Sequence, residues 1–296
     1  MSSTTQQEVI VVGSGVGGLS AAILLGATGR KVLLLEAAAQ WGGKAGTALV
    51  EGVEVDTGPS VLTLPEIFES IFRAAGTSLD QQLCLRKPEP AFRYRFADAG
   101  PLDVYLEPER TLQSVAQSLG TEASRELRRF LSRSAEIWDA AAPHFVWSEA
   151  PAWHGLLTGG WAQLRAVGRI DPLRTLQASI EQTVKTPELR MLLERYATYN
   201  GSDVRRAPGT LACIAHVELG LGGYGVQGGM HELVRSLVRT AQDLGVRMVA
   251  ESPVTELLWE SGRVAGVRCG QREHRAQAVV FNGEVAALAE GLLPKD

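Results

Sequence analysis

The feature that most constrains this chain is a glycine turn set between a short β-branched run and an apolar helical run. Residues 8–12 (EVIVV) predict a strand, Gly13, Gly15 and Gly18 form G-x-G-x-x-G, and LSAAILLGATG predicts a buried helix that Gly29 stops. KVLLLE (31–36) predicts a second strand, because parallel strands covered on both faces read as continuous apolar runs. In such a β-α-β unit the first glycine permits the tight turn, the second lets the backbone approach a diphosphate, and the third allows close helix–strand packing. Ser14, Val16 and Gly17 complete the turn, and Gly17 is a further concession to close approach. The free N–H groups and positive dipole end of the helix favour an anion there. Glu36 ends the second strand 18 residues after Gly18, where a carboxylate can accept both hydroxyl protons of an adenosine ribose and repel a 2′-phosphate. NADP is disfavoured, while the glycines alone leave NAD and FAD both open.

The stretch after Glu36 separates those two. A plain NAD domain would run into another helix and parallel strand, whereas residues 37–60 carry Gly42-Gly43-Lys44 and Asp56-Thr57-Gly58-Pro59 around the alternating stretches TALV and VEVD. These predict a loop and a β-ribbon. Paired glycines expose main-chain N–H groups to phosphate or flavin edges, and Lys44 can complement a diphosphate charge. Two further backbone-exposing loops imply a longer ligand.

The sequence excludes several classes. Its 296 residues suggest about two domains, or one domain with a large insertion. The net charge of −4 gives no electrostatic reason to expect nucleic acid. Three scattered cysteines, Cys84, Cys213 and Cys269, suggest neither a disulfide framework nor a zinc site. His144, His154, His216, His231 and His274 lack metal-ligand spacing, so each is expected to be a surface or hydrogen-bonded histidine and no metal is expected. No nucleophile elbow occurs. The N-terminus has no signal-peptide pattern and no run of about 18 apolar residues is present, which makes the cytoplasm the default location.

Further along, a helix is predicted over 65–75 with Gly76 as its stop, and FRYRF (92–96) predicts a half-buried strand with its arginines on the wet side. Residues 108–199 are mainly helical in pattern, and four of the six tryptophans fall between 138 and 161. That shift marks an inserted region. After residue 220 a helix (229–244), a strand (246–250), a hairpin around Ser261-Gly262 and a strand (276–281) predict the return of the first domain. The expected organisation is thus a first domain from 1–75 and 223–296, interrupted by residues 76–222. Arg125, Arg128, Arg129 and Arg133, with Glu122, Glu126 and Glu136, read as a solvated, salt-bridged helix face. Trp153, Leu157, Trp161 and Leu164 form an apolar stripe, with Arg165 and Arg169 towards the other face. It suits core packing first and a membrane interface second.

GSGVGGLSAAILL, LLLEAAAQWGGKAG and VEVDTGPS together resemble the FAD-binding segments of the flavin-dependent amine oxidase and phytoene desaturase superfamily. The resemblance implies an α/β, Rossmann-like FAD-binding domain of glutathione-reductase type with an inserted mixed α+β substrate region. It implies that Gly13, Ser14, Gly15, Val16, Gly17 and Gly18 meet the diphosphate, that Glu36 meets the ribose, and that Gly42, Gly43 and Lys44 sit near the phosphates and flavin. Asp56, Gly58 and Pro59 belong to the same implied FAD site, and ESPVTELLWESGRVAGV resembles the stretch in which Val254 meets the adenine. Lysine at 44 replaces the commoner arginine, which loses the planar fork and keeps the charge. AQAVVFNGE resembles the returning strand and the loop beyond it.

Residues 195–246 resemble the carotenoid desaturases more than the amine oxidases, and the hydroxycarotenoid 3,4-desaturase branch most. Gly228-Gly229-Met230 reads either as a turn near the flavin or as an ordinary helix start. The resemblance implies a carotenoid substrate, gathered at a membrane surface, and hydride transfer to FAD; it carries over no catalytic residue. A flavin amine oxidase and a non-catalytic FAD- or lipid-binding fragment are the alternatives. Members of that family are longer and close the flavin pocket with a Gly-rich segment near their C-terminus, so the expectation is either a truncated fragment or a complementing polypeptide that supplies the remainder.

Overall fold

A computed structural model describes residues 7–97, 99–147 and 169–292. In chain order come β1 (Gln7–Val12), α1 (Val16–Ala27), β2 (Val32–Leu35), β3 (Thr47–Val50), β4 (Val53–Asp56), β5 (Leu62–Thr63), α2 (Pro65–Ala74), α3 (Leu79–Gln82) and β6 (Leu85–Arg86). Next are β7 (Phe92–Tyr94), β8 (Leu102–Val104), α4 (Pro108–Leu119), α5 (Thr121–Phe145), α6 (Leu176–Thr183), α7 (Pro187–Glu194) and α8 (Cys213–His216). The last are β9 (Gly223–Val226), α9 (His231–Asp243), β10 (Arg247–Val249), β11 (Glu256–Glu260), β12 (Arg263–Cys269) and β13 (Arg272–Phe281).

The chain divides into two compact units, residues 1–86 with 225–296 and residues 87–224. The first crossing falls after Arg86 and not after residue 75. Leu85 and Arg86 pair with Val226 and Gly225, which keeps the segment after α2 in the first unit.

The first unit is built on a six-stranded sheet of order β10-β2-β1-β13-β12-β11. β10, β2, β1 and β13 run parallel, while β11, β12 and the start of β13 form an antiparallel meander. β13 is longer than its apolar run predicts: Arg272–Arg275 pair with β12 and Ala276–Phe281 pair with β1. All four residues of β2 are buried, the reason for its uninterrupted apolar sequence. Ile10, Val12, Leu33, Leu35, Leu257, Val267 and Ala276 make a core on this sheet. α1 buries Gly18, Leu19, Ala22, Ile23 and Gly26, one face at helical spacing.

In the second unit, α4 to α7 share a core with the β7–β8 pair, centred on Leu102, Leu112, Leu127, Phe130, Ile180 and Leu193. FRYRF alternates as its pattern predicts, although the strand ends at Tyr94, and Arg93 pairs with Asp103 on the open side. On α5, Arg125, Arg129, Arg128 and Arg133 form exposed ion pairs with Glu122, Glu109 and Glu136. Glu126 corrects the expectation for that face. It is 4% exposed and accepts the N–H groups of Lys185 (3.0 Å) and Thr186 (2.9 Å), so it caps the start of α7.

A buried polar knot ties the end of α7 to the π-helical turn Val217–Leu221. Glu218, 1% exposed, accepts hydrogen bonds from Arg195, Tyr196 and Tyr199. Burial, and then the carboxylate it donates to, pushes the Tyr199 phenol up to about 12. The tryptophan stripe Trp153 to Leu164 lies outside the described residues. Among the described residues no helix is long and apolar enough to cross a membrane.

Candidate functional site

β1, β2 and β13 end together, and a crevice of about 680 Å³ opens beyond their carboxyl ends. β2 lies on one side of β1 and β13 on the other, so this is the point at which the strand order reverses, where open α/β sheets bind their ligands. The turn Gly13–Gly17 forms one wall, Glu36 and Ala37 a second, and Ser252-Pro253-Val254 with Phe281 and Asn282 a third.

Glu36 is held by three donors. Its Oε2 accepts the Ser14 N–H at 2.7 Å and the Ser14 hydroxyl at 2.6 Å, and its Oε1 accepts the Ala38 N–H at 2.9 Å. Burial acts to raise its pKa, but the hydrogen bonds from Ala38 and Ser14 outweigh it and hold the carboxyl below the ordinary 4.5. Of about four acceptor positions on a carboxylate, these bonds leave one open, on Oε1. Ser14 thus occupies Oε2 and leaves Oε1 the freer of the two oxygens. The Glu36 carbonyl also accepts the Ser252 N–H at 2.8 Å, which sets Val254 in the same wall.

Gly42 adopts φ +109° and packs where a Cβ would lie 2.8 Å from Val234 Cγ1, so only glycine fits. Its N–H donates to the Ser14 carbonyl (3.1 Å), which fastens the Gly42-Gly43 loop to the first turn. Lys44 is 95% exposed at the crevice mouth, with Glu284 Oε2 at 3.5 Å. So loose and hydrated a pair leaves the ammonium able to turn to an anion.

The crevice brings together Gly13, Gly15, Val16, Gly17, Glu36, Gly42, Gly43, Lys44, Pro59 and Val254. Four other expected residues stand behind it. Ser14 is fully buried and acts on Glu36. Gly18 packs against the turn that follows β1, its absent Cβ only 1.9 Å from the Gly13 carbonyl oxygen, and Gly58 packs as closely on the Lys44 carbonyl (2.0 Å). Asp56 accepts the N–H groups of Met230 (2.6 Å) and His231 (3.0 Å), so both of its oxygens cap the start of α9. Gly228-Gly229-Met230 leads into that helix start, and Gly229 clears space for the carboxylate.

Sequence reasoning missed Asn282, Gly283, Glu284, Ala287 and Leu292 as lining residues. The turn that ends the last parallel strand, FNGE, was the available signal.

A glycine turn, a fixed acid at the end of the second strand and a returning strand around one crevice define a dinucleotide-binding α/β protein. Residues 16–295 match the family model described as flavin containing amine oxidoreductase, and the chain belongs to that family. It is 38% identical over 288 residues to a hydroxyneurosporene desaturase of Cereibacter sphaeroides, covering 97% of this chain and 58% of the relative. A hydroxyneurosporene desaturase of Rubrivivax gelatinosus is 35% identical over 290 residues, covering 97% of this chain and 55% of the relative. The chain spans a little over half the length of these relatives. Among solved structures, a Pyrococcus furiosus protein superposes with TM-score 0.63 at 17% identity, covering 96% of this chain and 61% of that one. Putrescine oxidase bound to putrescine gives TM-score 0.63 at 20% identity, covering 93% and 57%. The chain shares the fold of these two structures.

Proposed function

We propose that this chain binds FAD in the crevice and belongs to an enzyme that desaturates a carotenoid of the phytoene or hydroxycarotenoid type. The observation that carries the cofactor reading is the fixed Glu36 carboxylate beside an uncapped helix start, in one crevice with Val254. In this reading the glycine turn and α1 hold the diphosphate, the open position of Glu36 Oε1 takes a ribose hydroxyl, and Leu35, Pro253 and Val254 flank the adenine. Gly42, Gly43 and Lys44 lie towards the phosphates and flavin. FAD, when bound, supplies the two-electron acceptor for a hydride, and loss of a proton from the adjacent carbon completes the new double bond. The protein binds, orients and excludes water. The carotenoid reading rests on the names of the relatives at 35% and 38% identity. Residues 87–224 are the substrate region in this account. A carotenoid partitions into bilayers, so peripheral membrane contact belongs to the same reading.

Coexpression with carotenoid-producing enzymes tests the substrate. Extracted pigments are expected to absorb at longer wavelength than those of cells lacking this chain, alone or beside a polypeptide carrying the rest of a relative's length. Unchanged pigment spectra in both arms, with anaerobic bleaching of bound flavin by amines, would replace this reading with an amine oxidase.

A further inference from the structure

Gly42–Ala45 close a β-turn in which the Ala45 N–H donates to the Gly42 carbonyl (3.1 Å) and Gly43 takes φ +57°. Lys44 stands at its corner, so where its ammonium points depends on how the two ends of the turn are held. The first end is held by the Gly42 N–H on the Ser14 carbonyl and by Val234, which packs where Gly42 lacks a Cβ. The second end is held by His231, whose Nδ1 lies 2.7 Å from the Ala45 carbonyl oxygen. A carbonyl only accepts, so Nδ1 carries the proton and donates it. His231 and Val234 are three residues apart on α9 and therefore share a face. The imidazole is 6% exposed, and its main-chain N–H is itself fixed on Asp56 (3.0 Å). Ala45 lines the crevice, whereas His231 and Asp56 stand outside it. A buried ring thus grips the crevice loop from behind.

Resting on the FAD reading above, we infer that His231 is a positioning residue of the cofactor site: its Nδ1–H holds the Ala45 carbonyl and thereby fixes the turn that presents Lys44 to an anionic ligand. α9 acts through this ring and Val234 on a loop nearly 190 residues earlier in the chain.

The test uses the full chain as wild type, His231→Leu, His231→Asn and His231→Gln, each with and without Lys44→Ala. An Asn amide reaches about where Nδ1 lies and a Gln amide about where Nε2 lies, so only Asn can replace the donor. The first readout needs no ligand: the initial rate of trypsin cleavage after Lys44, followed by mass spectrometry of the fragments. Cleavage requires the turn to open, and it is expected to be about fivefold faster in His231→Leu and His231→Gln, the loss of one hydrogen bond, and close to wild type in His231→Asn. The second readout is FAD affinity by flavin fluorescence. Lys44→Ala is expected to weaken FAD about fivefold in wild type and in His231→Asn, and less than twofold beside His231→Leu or His231→Gln, where the turn no longer aims the ammonium. A ring that merely filled the core would leave the Lys44 contribution the same in every background, and that result would overturn the inference. So would equal cleavage rates in all four proteins, or His231→Asn behaving as His231→Gln does. Should His231→Leu fail to fold, the contrast of Asn with Gln decides alone. Failure of the wild type to bind FAD, with the cleavage pattern as expected, would overturn the cofactor reading and leave His231 as the anchor of the turn.

Discussion

At the residue scale the decisive group is Glu36. Its carboxylate is fixed by Ser14 and Ala38 before any ligand arrives, and a group held in place loses less entropy on binding. Because its folded pKa lies below the ordinary 4.5, its contribution to stability is present above that value and is lost as pH falls through the folded one. Urea unfolding should therefore show wild type more stable than Glu36→Gln at neutral pH, with the gap closing as pH drops below 4.5. A gap that does not change with pH would mean that the carboxylate charge is not what the Ser14 and Ala38 donors hold. Glu36 and the glycines were legible in the sequence because both sit within one contiguous strand-turn-helix-strand pattern. Ser14 as the group that orients Glu36 was not, since a small polar residue in a glycine turn carries no signal of which partner it will meet. Asn282 was hidden for a related reason, lying far along the chain from the turn it covers.

At the element scale, two carboxylates that the sequence placed elsewhere turn out to start helices. Asp56 reads as a cofactor residue from its place in DTGPS. The register of the ribbon, Thr47 opposite Asp56, turns it to the first N–H groups of α9. Asp56→Ala should cost about 1 kcal/mol, the usual cost of losing a helix cap, seen as a lower urea midpoint; an unaltered midpoint would show that the cap is dispensable. Glu126 reads as part of a wet face because its neighbours on α5 are charged, and nothing local announces that the start of α7 will lie over it. The knot around Glu218 was equally invisible, for RYATYN and VELGL are unremarkable apart and meaningful only in contact. Arg195→Met leaves Glu218, 1% exposed, without its cation, and should cost about 3 kcal/mol in urea unfolding. Arg195→Met with Glu218→Gln should recover a large part of that loss. Equal destabilisation by the single and double variants would argue that packing, and not the buried charge, is what Arg195 provides.

At the scale of the whole molecule, the sequence order of strands that leave and return explains why one crevice can draw on residues from both ends of the chain. β1 and β2 are contiguous with the glycine turn, while β13 arrives from beyond the second unit to flank β1 on its other side. That return was legible in the apolar run 276–281. The four-residue polar extension at its start was not, because its pairing to β12 leaves it mostly open to solvent. The family match and the solved structures agree with this arrangement and set the fold.

The central claim, that the crevice takes the adenylated end of FAD with Glu36 as its ribose acceptor, is tested most directly by titrating FAD into purified wild type and Glu36→Ala while following flavin fluorescence. The account predicts saturable binding to wild type, competition by ADP, and affinity about ten- to a hundredfold weaker in Glu36→Ala, the loss of a hydrogen bond to a charged acceptor and of the order it imposes on the turn. Binding of equal strength in the two proteins, or no saturable binding in wild type, would contradict it.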